Sequence, residues 1–339
     1  MNIKKIIIGL TLSLLLCSGV VVAGDYNKGL SAYGAGDFKA ALAEFIPLAE
    51  QGDAGAQAML GYMLGNGKGT SEDDREAIKW YTLAAEQGFA DAQYNLGYMY
   101  DKGFGAPRNI ETAIIWYVKA AEQGHVIAQN MLGVIYGRGK NVPKNHKKSV
   151  AWYTKAAEQG YAEAQYNLAA MYRKGEGVPE NNKTAVKWFT LAADQGYAMA
   201  QNNLGVMFDK GYGVPENDKT AVKWYTLAAK QGDAQAQYNL GLMYRRGLGV
   251  SKNELTASSW LALAAKQGVT SDTNSELMLT IRHFATFLPL IFGWFVFRLI
   301  SKENNPFRKP TKGQSRSRMI WAVCLGLLVM GLFSALISH

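Results

Sequence analysis

Seven glycines set the first constraint on this chain: Gly52, Gly88, Gly124, Gly160, Gly196, Gly232 and Gly268 each stand 36 residues from the next. Trp80, Trp116, Trp152, Trp188, Trp224 and Trp260 keep the same interval, and so do Gln57, Gln93, Gln129, Gln165, Gln201 and Gln237. A period of this length marks an array in which each unit is one supersecondary element that buries its apolar face only by stacking on its neighbours. Six full units run over 53–268, and a shorter related unit occupies 24–52. The usual inference of about two globular domains from 339 residues therefore does not apply.

Each unit spells out two helices. Ala92, Leu96, Met99 and Tyr100 recur at i, i+4, i+7 and i+8, which is one apolar face of a first helix, A. Gly103-Phe104-Gly105-Ala106-Pro107 ends it, because glycine accepts left-handed backbone and proline cannot continue the hydrogen-bond ladder. A second helix, B, begins at an Asx residue (Asp73, Asn109, Asn145, Asn181, Asn217 or Asn253) suited to cap free amides, and stops at the Gln-Gly pair. The periodic Trp, Leu, Met and Ala residues are expected to form one continuous core, with each Trp as a buried anchor whose loss costs about 3–5 kcal/mol. The fold class that follows is all-α: a right-handed α-solenoid of helix-turn-helix repeats, continued by two C-terminal transmembrane helices.

The pattern Ala92-Gln93-Tyr94-Asn95-Leu96-Gly97-Tyr98-Met99-Tyr100, then Gly103-x-Gly105-x-Pro107, then Ala113-x-x-Trp116-Tyr117-x-x-Ala120-Ala121-Glu122-Gln123-Gly124 resembles the Sel-one-like repeat, a relative of the tetratricopeptide repeat. Departures are local: Asn141 stands for the second loop glycine, Ala169 for a helix A glycine and Ser251 for the loop proline. The resemblance implies an adaptor or scaffold for other proteins, often at membranes or in the periplasm. A cysteine-rich branch is associated with penicillin binding or hydrolysis, but its repeats are stapled by disulfides that this chain lacks.

The ends carry their own signals. Residues 1–23 read as a secretory signal, with Lys4 and Lys5, an apolar run from Ile6 to Leu16, and Val21-Val22-Ala23 before an expected cleavage. Leu16 is too bulky for Cys17 to head a lipobox. Residues 319–338 hold no charge over a length that matches a bilayer core, and 284–300 form a shorter second candidate span interrupted by Pro289 and Gly293. Between them, loop 301–318 carries Lys302, Arg308, Lys309, Lys312, Arg316 and Arg318 against Glu303, which marks it as cytoplasmic; contact with anionic lipid is the other role for the same charges. A linker at 269–283 joins spans to repeats. The expected location is the bacterial inner membrane with the repeats in the periplasm, or the ER membrane with lumenal repeats in a eukaryote.

The net charge of +9 belongs to those ends, because basic and acidic residues balance at 26 each between positions 6 and 281. A neutral array offers no general footprint for nucleic acid. The chain's only cysteines are Cys17 and Cys324, so the repeats have no thiol for catalysis, disulfides or zinc. The repeats hold two histidines, His125 and His146, and no serine-acylation, zinc-protease or P-loop motif. No catalytic residue, metal or cofactor is expected, and a lone solenoid histidine such as His125 is expected at the surface. A basic run, Arg138, Lys140, Lys144, Lys147 and Lys148, reads as a solvated face, with contact to an anionic envelope polymer or lipid as the alternative.

The copies differ most on helix A at i, i+3, i+7 and i+10, opposite the core stripe. Those positions hold Asp91, Tyr94, Tyr98 and Asp101 in one unit, and Tyr166, Arg173, Asn202, Tyr238, Leu242 and Arg245 in later ones. A fixed frame with a varied stripe bearing Tyr and Asn suits recognition of a protein or peptide on the concave helix A surface. The rivals are an envelope enzyme or glycan-binding factor of peptidoglycan handling, and a recruiting subunit of a membrane complex.

Overall fold

The computed structural model of the protein describes residues 24–270. The signal segment, the two candidate spans, loop 301–318 with its lipid contact, and all but the start of the linker lie outside the described residues. Within them there are fourteen helices and no strand, and no helix is long and apolar enough to cross a membrane.

The short first unit holds α1 (Tyr26–Gly34) and α2 (Phe38–Glu50). The six full units follow as pairs: α3 (Ala54–Gly65) and α4 (Asp74–Glu86), α5 (Ala90–Lys102) and α6 (Ile110–Glu122), α7 (Val126–Arg138) and α8 (His146–Glu158). The array continues with α9 (Ala162–Lys174) and α10 (Asn182–Asp194), α11 (Ala198–Lys210) and α12 (Asp218–Lys230), α13 (Ala234–Arg246) and α14 (Glu254–Lys266). Each helix packs chiefly on the helix before it and the helix after it, as a stacked solenoid requires.

The turn chemistry explains why the pairs are so regular. Gly103 ends α5 at φ +80°, and its N–H and that of Phe104 both donate to the Met99 carbonyl, which closes the helix in the manner of a left-handed C-cap. The chain then returns so that the Asn109 N–H reaches the Tyr100 carbonyl at 2.9 Å, while the Asn109 side chain accepts from the Thr112 N–H at 3.0 Å and starts α6. The same side-chain cap is made by Asp73, Asn145, Asn181, Asn217 and Asn253. Asn141 takes φ +67° where other units have the second loop glycine, a conformation Asn tolerates better than most residues.

Burial corrects one expectation about the core. The tryptophans are only half-buried, and the fully buried aromatic is the next residue: Tyr81, Tyr117, Tyr153, Phe189 and Tyr225. Each such ring lies across the helix A glycine or alanine of its own unit; a Cβ on Gly97 would stand 2.8 Å from the Tyr117 ring. Ala169 replaces that glycine in the one unit whose anchor is Phe189 rather than Tyr. The tryptophans serve the seams instead, with Trp116 packed on the core that joins Tyr81 and Ala84 of α4 to Ala92, Leu96 and Met99 of α5.

A buried polar ladder runs through those seams. Each of Gln57, Gln93, Gln129, Gln165, Gln201 and Gln237 donates its amide N–H to the carbonyl eight residues earlier, from Ala49 to Ala229, at 2.9–3.2 Å. The side-chain oxygen of each then accepts from Gln87, Gln123, Gln159, Gln195, Gln231 or Gln267 at 2.7–3.0 Å. One side chain thereby ties the end of the previous helix B to the end of its own.

Candidate interaction surface

The first helices of successive units, α3, α5, α7, α9, α11 and α13, present their variable residues on one face, and two grooves open between neighbours there. The stripe is rotated from the expected one. A helix turns about 100° per residue, so positions 91, 95, 98 and 102 share a direction, whereas 94 and 101 lean toward the neighbouring helices. Asp91, Tyr98 and Lys102 are exposed accordingly, Tyr94 is half-buried and Asp101 is buried.

Asp101 is therefore not an open recognition residue. Its backbone carbonyl accepts from Arg108 Nε at 2.6 Å and its carboxylate pairs with Arg108 Nη2 at 3.2 Å. With the Asn141 amide turned so that its oxygen faces it, the same guanidinium reaches that oxygen at 2.8 and 3.2 Å, linking the loops of adjacent units. Tyr166 is likewise half-buried, packed against Phe189 and Tyr197 at 5.8 and 5.4 Å between ring centres. Tyr98 remains accessible, with Lys102 above its ring at 5.4 Å.

The first groove, about 370 Å³, is aromatic: Tyr26, Tyr33, Tyr62, Phe89 and Tyr94 line it together with Asp91, Asn95 and His125. His125 is the helix cap and not a surface bystander. Its Nδ1 accepts from the Ala128 N–H at 3.1 Å, its ring stacks on Tyr94 at 4.7 Å, and its Nε2 lies 3.4 Å from Asp91 Oδ1. Burial pushes its pKa below the ordinary 6.5, only partly opposed by Asp91. Burial, then Asp53 and Asp91, raises the Tyr26 phenol, so this end of the face favours neutral or cationic groups.

The second groove, about 620 Å³, is walled by α11 and α13 and flanked by α9. Asn202, Leu242 and Arg173 line it, while half-buried Tyr238 and exposed Arg245 do not. Asn202 is itself buried, and its oxygen accepts from Asn239 Nδ2 at 3.0 Å; Asn239 in turn accepts from Gln235 at 3.2 Å. Arg173 Nη1 donates to Asn203 Oδ1 at 3.1 Å, and Arg246 completes the polar wall. Beneath them the buried Tyr225 phenol is pushed far up by desolvation and by Asp209, to which its hydroxyl donates at 3.4 Å.

The residues missed in the sequence are Asn203, Asn239 and Arg246 in one groove, and Tyr26, Tyr62, Phe89 and His125 in the other. Asn95, Asn167, Asn203 and Asn239 did carry a signal, the 36-residue period interrupted only by Met131, but it reads as frame until the helix rotation is known. Among the described residues no cluster of three or more His, Cys, Asp or Glu could hold a metal ion.

The profile of the Sel1 repeat matches residues 54–89, 90–125, 126–161, 162–197, 198–233 and 234–269. No match was found among curated proteins. A protective antigen of uropathogenic Escherichia coli with an SLR fold is similar in structure, at TM-score 0.69 and 37% identity over 72% of this chain. The match spans only 53%, about half, of that antigen's length. A Sel1 repeat protein from Oxalobacter formigenes is similar at TM-score 0.64 and 34% identity, over 74% of this chain and 98% of its own. Six consecutive profile matches, each one helix pair with its glutamine and its capped loop, show that the chain belongs to the Sel1 repeat family.

Proposed function

We propose that this protein is a non-enzymatic scaffold at the membrane that holds a protein or peptide across the concave helix A face of its repeats. Sel1-repeat proteins are generally protein-interaction scaffolds, and no catalytic grouping is apparent among the described residues. The observation that carries the reading is the division of labour within each unit. The glutamine, the anchor aromatic and the capping Asx recur almost unchanged, whereas the residues lining the two grooves differ from copy to copy. Solenoids recognise partners with such extended faces.

The ends supply the location in this proposal. An N-terminal signal exports the repeats, two C-terminal spans tether them, and the basic loop 301–318 stays in the cytoplasm beside anionic lipid. The repeats then face the bacterial periplasm, and the partner lies near the inner membrane.

The test is in-cell crosslinking of the full-length chain from a photoreactive residue at exposed Tyr98 or Gln235. The expected result is one reproducible protein adduct from the helix A positions and none from Lys187, which is exposed on α10. Adducts confined to glycan or lipid, or equal capture from Lys187, sink the proposal.

A further inference from the structure

Among the described residues, the groove between α11 and α13 holds positive charge that no carboxylate pairs. Among the described residues neither Arg173 nor Arg246 has a carboxylate within 4.0 Å. The one carboxylate of the groove, Asp209, already lies 3.1 Å from Lys210 and accepts from Tyr225. Both arginines sit in the last turn of a helix, where a cation favours the helix dipole whichever way it points. The dipole therefore accounts for their presence but not for their convergence on one groove from α9 and α13, on either side of α11.

We propose that this groove binds an extended, acidic polypeptide segment, with carboxylates received by Arg173 and Arg246 and backbone carbonyls by the Asn203 and Asn239 amides. The inference rests on the scaffold reading above and names the chemistry of its partner. A guanidinium has five donors, and Arg173 gives the protein one hydrogen bond, so it keeps donors for a carboxylate. Each asparagine amide has two N–H groups, of which Asn203 gives one to the Met199 carbonyl and Asn239 one to Asn202. Val206 and Leu242 put half-buried apolar surface beside these donors, which suits aliphatic residues alternating with acidic ones. The groove has no exposed aromatic ring on which a base could stack, so peptide fits it better than single-stranded nucleic acid.

The experiment uses the purified full-length chain and a dye-labelled, end-capped peptide alternating Glu and Leu, read by fluorescence anisotropy. Saturable binding is expected, with a Lys-Leu peptide of equal length failing to bind. Arg173→Ala and Arg246→Ala should each weaken it about tenfold, the loss of one charge-assisted hydrogen-bonding partner. Asn239→Leu should weaken it without changing the salt dependence, whereas Lys187→Glu, a larger charge change away from the groove, should leave it intact. Circular dichroism controls for folding. Equal weakening by Lys187→Glu, no binding, or equal displacement by a single-stranded oligonucleotide overturns the proposal. A crosslinked protein partner whose capture survives the double substitution of both arginines overturns this inference and leaves the scaffold reading standing; no capture anywhere on the face overturns both.

Discussion

The aromatic groove near the start of the array and the amide-and-guanidinium groove near its end occupy corresponding positions of the same repeated frame. Tyr62 lies four units before Asn203's helix in a stripe where ring faces give way to amides, and Asp91 marks an acidic end where Arg246 marks a basic one. The cores beneath are nearly the same: Tyr117 and Tyr225 are fully buried across Gly97 and Gly205, and Gln93 and Gln201 make matching hydrogen bonds. Stability is thus vested in positions that vary little, which frees the groove positions to diverge in charge and shape without disturbing the stack.

The sharpest way to break that comparison is to remove the shared frame in both regions. Tyr117→Ala and Tyr225→Ala should each cost about 3–5 kcal/mol in denaturant unfolding, as expected for a large buried aromatic. Half-buried Trp116 should cost less on the same change. Unequal costs at the two tyrosines would mean that the frame is not common to both grooves.

A smaller effect tests the close approach of helix to ring. Gly205→Ala places a methyl 2.7 Å from the Tyr225 ring and should cost about 1–3 kcal/mol by overpacking. Ala169→Gly, made where Phe189 already accommodates the methyl, should cost about 1 kcal/mol through helix propensity and a small void. Thermal or denaturant unfolding separates the two, and a tolerated Gly205→Ala would show that the ring gives way freely.

The smallest effect distinguishes the grooves by pH. His125 Nδ1 must stay unprotonated to accept the Ala128 N–H, in keeping with a folded pKa depressed below 6.5. Below that value the unfolded chain binds a proton that the folded chain refuses, so stability present above about pH 6.5 declines as pH falls until the folded group titrates too. His125→Asn keeps a capping acceptor and removes the titration. Melting temperatures between pH 7.5 and 5 should therefore fall further for the wild type than for the variant, and identical slopes would show that His125 contributes no linkage.

Much of the frame was legible in the sequence because it is periodic. Helix ends were marked by Gly and Asx, and both were found where local backbone chemistry requires them. The tryptophans misled for a physical reason: an interval shows that a residue is needed, not how deeply it lies, and Trp116 serves a seam where Tyr117 serves the interior. The groove residues were harder, since a lean of a few tens of degrees decides whether Tyr98 or Asp101 meets the solvent. Asp101 could not be recognised as an internal link without Arg108 and Asn141, which lie in loops whose approach no periodicity encodes.

The glutamine ladder bears on length. Each Gln completes its bonds with the unit before it and with its own, and with nothing farther away. Removing or duplicating one whole unit restores every such bond, whereas any other change of length breaks the register at a seam. The spacing between the aromatic and the cationic grooves is therefore counted in whole units, and the array works as a ruler whose divisions are fixed and whose span is adjustable.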